Sequence, residues 1–533
     1  MQVRLCCGIF AISLSLMMTS GCTLGPKYQR PDMPIPEEFA YEPAEVGDTA
    51  NTQWWTQFGD PVLDELIATA LTNNYDVKIA AANVEQALSI VTQTRSALYP
   101  QVGYGASGEK ARRGDAALSD AFPGIPNEQE TYQAFLSASW ELDLWGRVRS
   151  LSEAAQANML ATEEVRRGVI LTLVSTVANS YIILRGLDEQ LAVSQATLSA
   201  YEQSMKLYKL QFEYGYTSQM TVAQSESQYE TAATQIPQIE SQIVQQENAL
   251  SVLLGQNPGP IPRGKSISEL ANPVVPAGLP SSLLERRPDL LQAEQGLIAA
   301  NAQIGAAKAL YFPTISLTGA FGNSSTNLSN LFRGSNRAWN YGGQIAGPIF
   351  SFGAVSGQVA QSEAAQRAAL ASYELAVQSA FADVDNALVA NLKVGEQLEA
   401  QKRLVAALEE YEQLAKLQYD SGYTPYSTVL QAQQTLFPAQ LVLAELRAAV
   451  LASSTNVYKA MGGGWIDQAD ALIGSSPTVS ATPPGDTATP PVGTATPPGD
   501  TATPPAGTAT PPGDAAAPPA GTATPPAVTA TAP

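Results

Sequence analysis

An eight-residue phrase occurs twice in the chain, LQFEYGYT at Leu210–Thr217 and LQYDSGYT at Leu417–Thr424, 207 residues apart. Each copy closes a long helical pattern, sets a glycine (Gly215 or Gly422) at the break, and precedes a second helical pattern starting at Thr221 or Thr428. A glycine at such a break can take the left-handed conformation that ends a helix without a Cβ penalty. Each copy therefore reads as a tight turn between two helices. The correspondence continues to Leu254-Gly255 and Met461-Gly462. A repeat of this length fixes the architecture before any other feature: the chain holds two tandem copies of one long helical hairpin.

These helices are too long for a compact domain. From about Ser150 to Tyr214 there is no proline and almost no glycine, a run that as one helix spans roughly 95 Å. Val177, Ser180, Leu184, Leu187, Leu191, Ser194, Leu198, Tyr201, Met205, Tyr208 and Phe212 step by three and four, which is a coiled-coil seam. Small residues on the other faces suit a helix packed between two neighbours in a cylinder wall; a plain coiled-coil rod explains the seam equally well. The return helices carry Pro237 and Pro438 as candidate kinks.

Before each long helix the period changes from 3.6 to 2. Val102, Tyr104 and Ala106 alternate with glycine and serine; Tyr132, Ala134, Leu136, Ala138, Trp140 and Leu142 alternate with Gln133, Ser137, Ser139 and Glu141. A loop from about Gly108 to Thr131, with Arg112 and Arg113, separates the two runs. In the second copy Ile315, Leu317 and Phe321 form a third run and Trp339, Tyr341 and Ile345 a fourth. One face apolar with terminal aromatics and the other polar is the pattern of a lipid-facing barrel strand over a watery lumen; a half-buried hairpin in a soluble sheet has the same alternation. Four strands are too few to close a barrel, and open edges in hydrocarbon leave backbone groups unpaired. Oligomerisation has to close it, and three copies supply twelve strands.

A formal charge of -20 argues against a nucleic-acid partner, and the absence of His removes the commonest metal ligand and general base. The three cysteines, Cys6, Cys7 and Cys22, all lie at the extreme N-terminus, which excludes a zinc cluster or disulfide framework in the body. No catalytic triad, metal cluster or phosphate loop is evident, so the expectation is a non-enzyme without cofactors.

Arg4, the apolar run Leu5–Met18 and the small residues Thr19, Ser20 and Gly21 before Cys22 read as an export signal, too short for a membrane span. The end of the run resembles the lipobox of bacterial lipoproteins, with Thr19 where leucine is usual; an ordinary signal peptide cleaved nearby fits the same residues. GCTLGPKYQRP from Gly21, WWTQFGDPVLDELIATALTNN at Trp54–Asn74, ERRPD at Glu285–Asp289 and YDSGYTPYSTVLQAQQTLFPAQL at Tyr419–Leu441 resemble the outer-membrane efflux lipoproteins, the channel components of tripartite pumps. The resemblance runs from Cys22 to about Gly464.

It implies a mainly α fold with membrane β structure: hairpins forming a periplasmic α-barrel, four strands per protomer in a trimeric barrel, and two tandem repeats. It implies a homotrimer in the outer membrane, a lipidated Cys22 in contact with outer-membrane lipid, and two protein partners, a periplasmic adaptor and an inner-membrane RND-type transporter. The hairpin turns would be the periplasmic tip, where the pore narrows and the adaptor docks: Tyr214, Gly215, Tyr216 and Thr217 in the first, Asp420, Gly422, Tyr423 and Thr424 in the second. Some members carry an aspartate ring just inside the second turn; Thr428 and Gln431 stand there, so an acidic, cation-sensitive gate does not carry over. The ERRPD phrase reads as a structural corner, since Pro288 suits a first helical turn and the arginines can hold carboxylates or helix carbonyls.

The expected organisation is a signal peptide at 1–21, an extended lipidated leader at 22–59, the first repeat at 60–257, a linker at 258–280, the second repeat at 281–464 and a disordered Pro/Thr/Ala/Gly tail at 465–533. The tail repeats units such as GDTATPP from Gly485 and Gly499, has almost no apolar bulk, and is either a polyproline-like arm or dispensable low-complexity sequence. The expected function is passive conduction of small amphiphilic compounds out of a tripartite pump. A type I protein secretion duct is the alternative within the same architecture, and a lipid-anchored periplasmic coiled-coil scaffold the alternative from another class.

Overall fold

The structure, a computed structural model, describes residues 24–36, 39, 53–112, 128–274, 280–462, 465 and 466. A tight turn at Trp54–Phe58 leads into α1 (Pro61–Asn73), α2 (Tyr75–Ser96), strands β1 (Gln101–Arg112) and β2 (Glu128–Leu142), and the hairpin α3 (Arg147–Glu213) and α4 (Gln219–Leu253). The second half repeats this order with α5 (Pro280–Arg286), α6 (Pro288–Ala309), β3 (Thr314–Ser325), β4 (Arg337–Ala346), α7 (Ala354–Asp420) and α8 (Tyr426–Ala460). The long helices are 67 residues each and the return helices 35 each. At 1.5 Å per residue the long ones span about 100 Å. Both return helices run on through Pro237 and Pro438.

The helical pattern that the sequence carries from about Asp60 to Leu98 is broken at Asn74, and the break organises the fold. α2 and α4 lie end to end along α3, and α6 and α8 do the same between α3 and α7. The Asn74 carboxamide oxygen accepts from the Asp76 and Val77 amides at the start of α2, while its Nδ2 donates to the Leu253 carbonyl at the end of α4, 2.9 Å away. One side chain thus satisfies the free amides of one helix and a free carbonyl of the other. Arg287 occupies the matching place in the second repeat. Its guanidinium donates to the Ala460 carbonyl at 3.0 Å and pairs with Asp289 at 2.7 Å and Asp383 at 2.9 Å. Burial opposes the charge of Arg287, but the two carboxylates outweigh it and hold its pKa above the ordinary value. The ERRPD phrase is this joint, with Pro288 in the first turn of α6.

A glycine in the left-handed region closes each lower helix at its joint, Gly255 with φ 69° and Gly462 with φ 82°. There is no room for more: a Cβ on Gly255 would stand 2.4 Å from the Asn73 carbonyl oxygen, and one on Gly462 2.6 Å from Cγ of Arg287.

Around the first joint sits the main core. Trp54, Phe58, Leu63 and Leu66 pack against Ile170, Val174, Val177 and Tyr181 of α3, with Ile267 and Leu270 of the connector and Trp465. Trp54 stacks on Tyr458 with centroids 5.1 Å apart. The fully buried Asp60 ties this belt together: it accepts from Val62 N at the start of α1, from the Tyr181 hydroxyl at 2.7 Å and from the Lys265 amide. α3 and α8 contain stretches apolar enough to cross a membrane. In α3 that composition serves the belt and the helix neighbours on both sides.

The described leader, residues 24–36, is extended and is tied down along α6. Gly25 meets Gly305, Pro26 accepts from Asn301, and Tyr28 and Arg30 both bond Glu294. Phe39 then buries against Val384, Leu388 and Val457. The proposed signal peptide, Cys22, Arg113 and the tail beyond Ile466 lie outside the described residues.

The four strands form one antiparallel sheet in the order β1-β2-β3-β4. β1 and β2 extend further into the expected loop than the alternation indicated, to Arg112 and from Glu128. The register places Tyr104, Leu136, Phe321 and Trp339 in one row, and Trp140 beside Leu317, so the apolar residues share a single face. Ser137, Ser139, Thr318 and Gln344 belong to the other, where Phe135 is the apolar exception and covers Gly322. Gly255→Ala is expected to lower the thermal unfolding midpoint well beyond Gly215→Ala, whose new Cβ meets nothing within 4 Å and so costs only the left-handed backbone, about 1–2 kcal/mol. Equal shifts in the two variants would remove the special role of the joint.

Candidate functional site at the paired turns

The two repeated phrases form the two hairpin turns, and they are built alike. Gly215 has φ 75° and Gly422 φ 78°. The Tyr216 amide donates back to the Gln211 carbonyl and Gly215 to Phe212; Tyr423 and Gly422 donate to Gln418 and Tyr419 in the same way. This paired closure satisfies the last carbonyls of each long helix. The return helices start differently. Ser218 caps α4 by accepting from the Thr221 amide, whereas Pro425 precedes α8 with no side-chain cap.

Tyr214, Gly215 and Tyr216 are exposed in the first turn, as are Asp420, Gly422 and Tyr423 in the second, with Tyr216 and Tyr423 each 84% accessible. Thr217 is half-buried, and so is Thr424, whose hydroxyl is enclosed without a hydrogen-bond partner. Thr428 is half-buried and Gln431 exposed, one helical turn apart on α8. The turns therefore present aromatic rings and polar groups to the surroundings.

Behind them lies a cluster that the repeat alone does not reveal. Tyr208 of α3 packs against Tyr426 of α8 at 4.5 Å and Tyr419 of α7 at 6.0 Å, and Tyr419 contacts Tyr426 at 5.5 Å. Val429, Ala432 and Ala415 complete it. These rings join the first hairpin to the second just inside the turns. Tyr208 was legible as part of the seam; its partners, Tyr419 within the second phrase and Tyr426 just after it, stand on two different helices and meet only once the turn folds them together.

The sequence profile of the family described as outer membrane efflux protein matches residues 66–256 and 279–463, once for each repeat. The chain belongs to that family. The toluene efflux pump outer membrane protein TtgC of Pseudomonas putida is 37% identical over 468 residues, covering 86% of this chain and 96% of the relative. The cation efflux system protein CusC of Escherichia coli is 35% identical over 465 residues, covering 86% and 99%. A crystal structure of CusC superposes with a TM-score of 0.74 at 34% identity, covering 83% of this chain and all of that one. The open state of the MtrE outer membrane channel of Neisseria gonorrhoeae gives 0.75 at 32%, covering 83% and 99%. This outer membrane efflux protein is thus an outer-membrane channel component with a large periplasmic helical part, and its family is one of transport.

The tyrosine cluster gives the inner end of the turns a pH dependence. Burial, and then the neighbouring Tyr419, push the Tyr426 phenol from its ordinary 10.0 up to about 12; burial raises Tyr208 as well. The neutral rings are the packed form, so their contribution is complete below pH 10 and is lost as pH rises through about 12. Hydrogen exchange at the turns should accelerate over that range ahead of the belt. At neutral pH Tyr208→Ala, which removes about 3 kcal/mol of packing, should accelerate the same amides, and Tyr208→Phe should not. Unchanged exchange in Tyr208→Ala would show that the rings do not hold the turns.

Proposed function

We propose that three copies of this chain form a continuous conduit which passes small amphiphilic compounds outward from a tripartite pump. The observation that carries this is the sheet: one face apolar across its middle, with charged and polar residues such as Lys110, Glu130 and Arg337 only at one end, and two edges, β1 and β4, that are each paired on one side only. Strand direction alternates along the sheet, so β4 of one copy set beside β1 of the next is again antiparallel. Joining copies in this way removes every edge, which hydrocarbon requires. Twelve-residue strands such as β1 and β3, tilted by about 45°, cross roughly 28 Å. Two copies would make eight strands, whose interior side chains fill; three leave a lumen, and it would be lined by the polar face.

Cys22 is the proposed lipid anchor. The leader's start at Gly25 lies beside Gly305, near the end of α6 and close to β3. Three further residues reach about 10 Å, which would bring acyl chains on Cys22 to the lipid surface. The exposed Tyr214, Tyr216, Tyr423 and Asp420, with the half-buried Thr217 and Thr424, are the proposed contacts for a periplasmic adaptor, and an RND-type inner-membrane transporter is the proposed energised partner. Thr428 and Gln431 would edge the narrow end without charge. The relatives' names, which speak of toluene and cation efflux pumps, support the class of cargo.

The test is the native mass in mild detergent together with conductance in planar bilayers. Three chains per particle, dissociating to one on boiling, and discrete conductance steps are expected; a monomeric rod without conductance would overturn the conduit. Cys22→Ser should abolish incorporation of labelled palmitate without changing the three-chain mass. Tyr216→Ala with Tyr423→Ala should weaken adaptor capture and leave that mass unchanged.

A further inference from the structure

The inner faces of two helices can be assigned independently at belt height. On α3, Ile170, Val174, Val177 and Tyr181 enter the belt core, so Val165 and Thr172, both exposed, stand on the opposite side. On α6, Glu294, Asn301 and Gly305 lie under the leader; Asp289 and Gln292 face away from it. In the proposed conduit a leader that starts at a lipid anchor runs outside the helical wall, and the belt lies on the same side because one groove joins the faces opposite both; these remaining faces then look inward. A groove of about 600 Å³ crosses α3 there, from α2 to α6.

Its lining is mainly apolar, with Ile79 and Ala80 of α2, Val165, Val169 and Leu173 of α3 and Leu253 of α4. Its charged lining residues are three carboxylates, Asp76, Glu164 and Asp289, and no lysine or arginine lines it. Asp76 and Asp289 are repeat-related, each in the first turn of an upper helix behind its joint. Asp289 is bridged to Arg287 and Glu164 to Arg167. Asp76 is exposed and supplies a carboxylate at the α2 end. A volume of this size suits a small organic molecule, and an apolar floor beside acidic groups is complementary to an amphiphilic cation.

We propose that this groove is a binding station for cationic amphiphiles on the lumen wall, one per chain. The proposal rests on the conduit reading, because only a hollow assembly keeps the groove open. An apolar ring system covers Val165 and Ile79 while its positive centre lies by Asp76, so cations dwell there and anions of the same size do not.

The test uses the intact trimer in mild detergent, with ethidium as the cationic probe and the anionic dye ANS as its counterpart, followed by fluorescence. Ethidium should bind with three sites per trimer and ANS should not compete. Asp76→Asn should weaken ethidium about five-fold or more, the effect of one nearby charge in a partly screened site. Ile79→Ser should weaken it as well. The control is Glu85→Gln, which removes the same charge two and a half helical turns further along α2, on its other side, and should leave affinity unchanged. Equal losses in the Asp76 and Glu85 variants, or equal binding of ANS, would overturn the station and leave only general attraction to an acidic chain. Trimer mass and bilayer conductance, measured on the same preparations, separate this failure from failure of the conduit.

Discussion

A helix about 100 Å long must be covered along its whole length, and a single return helix of 35 residues cannot do it. The fold answers with two helices laid end to end, and the joint between them is the constraint on which everything else depends. At each joint the last carbonyls of one helix meet the first amides of the next, and neither set has an intrahelical partner. Asn74 and Arg287 bridge these ends, and Gly255 and Gly462 let the backbones approach. The belt core gathers where the first joint leaves α3 in need of cover, and the connector enters it by way of Asp60 and Tyr181.

Much of this was legible because it is written in backbone requirements. A glycine forced to positive φ, a proline at a first helical turn and strict alternation across a sheet each have one structural meaning, and the repeat stated the first of them twice. The offset of 207 residues holds from the start of α3 to Ala460. It fails upstream, where α2 and α6, like β1 and β3, correspond at 213, because the stretch linking β1 to α3 is longer and loop length is weakly constrained. What stayed hidden depends on side chains far apart in sequence. Nothing local marks Asn74 as a break in an otherwise helical pattern, or shows that the leader would follow α6 through Tyr28 and Arg30. The tyrosine cluster likewise needs both hairpins placed before its three rings can be seen to meet.

Exposed apolar surface on the sheet differs in its physics from that at the turns. On the sheet it is a continuous face, Tyr104, Leu136, Phe321, Trp339 and Tyr341, too large for water and matched to hydrocarbon. At the turns it is a few tyrosines on otherwise polar loops, the mixture of apolar body and polar tip that suits a protein partner. Between the two, belt and leader cover one side of the helical layer, and in the proposed conduit the opposite faces would line the lumen.

The repeats have diverged where their surroundings differ. Tyr208 has Ala415 as its counterpart, and the two meet in one cluster. Tyr419 is counterpart to Phe212; the former is half-buried against Tyr208, the latter 44% exposed. The first hairpin thus meets the second mainly through α3 and α8, with a smaller contact between α4 and α8 around Ala232 and Phe437. A ring built from such units has two kinds of joint between hairpins, one covalently linked and tyrosine-packed, the other between copies. Identical tandem hairpins would make both joints alike and equally firm. In the proposed conduit the divergence would let one joint hold while the other yields, the mechanical requirement for a wall that both seals and opens.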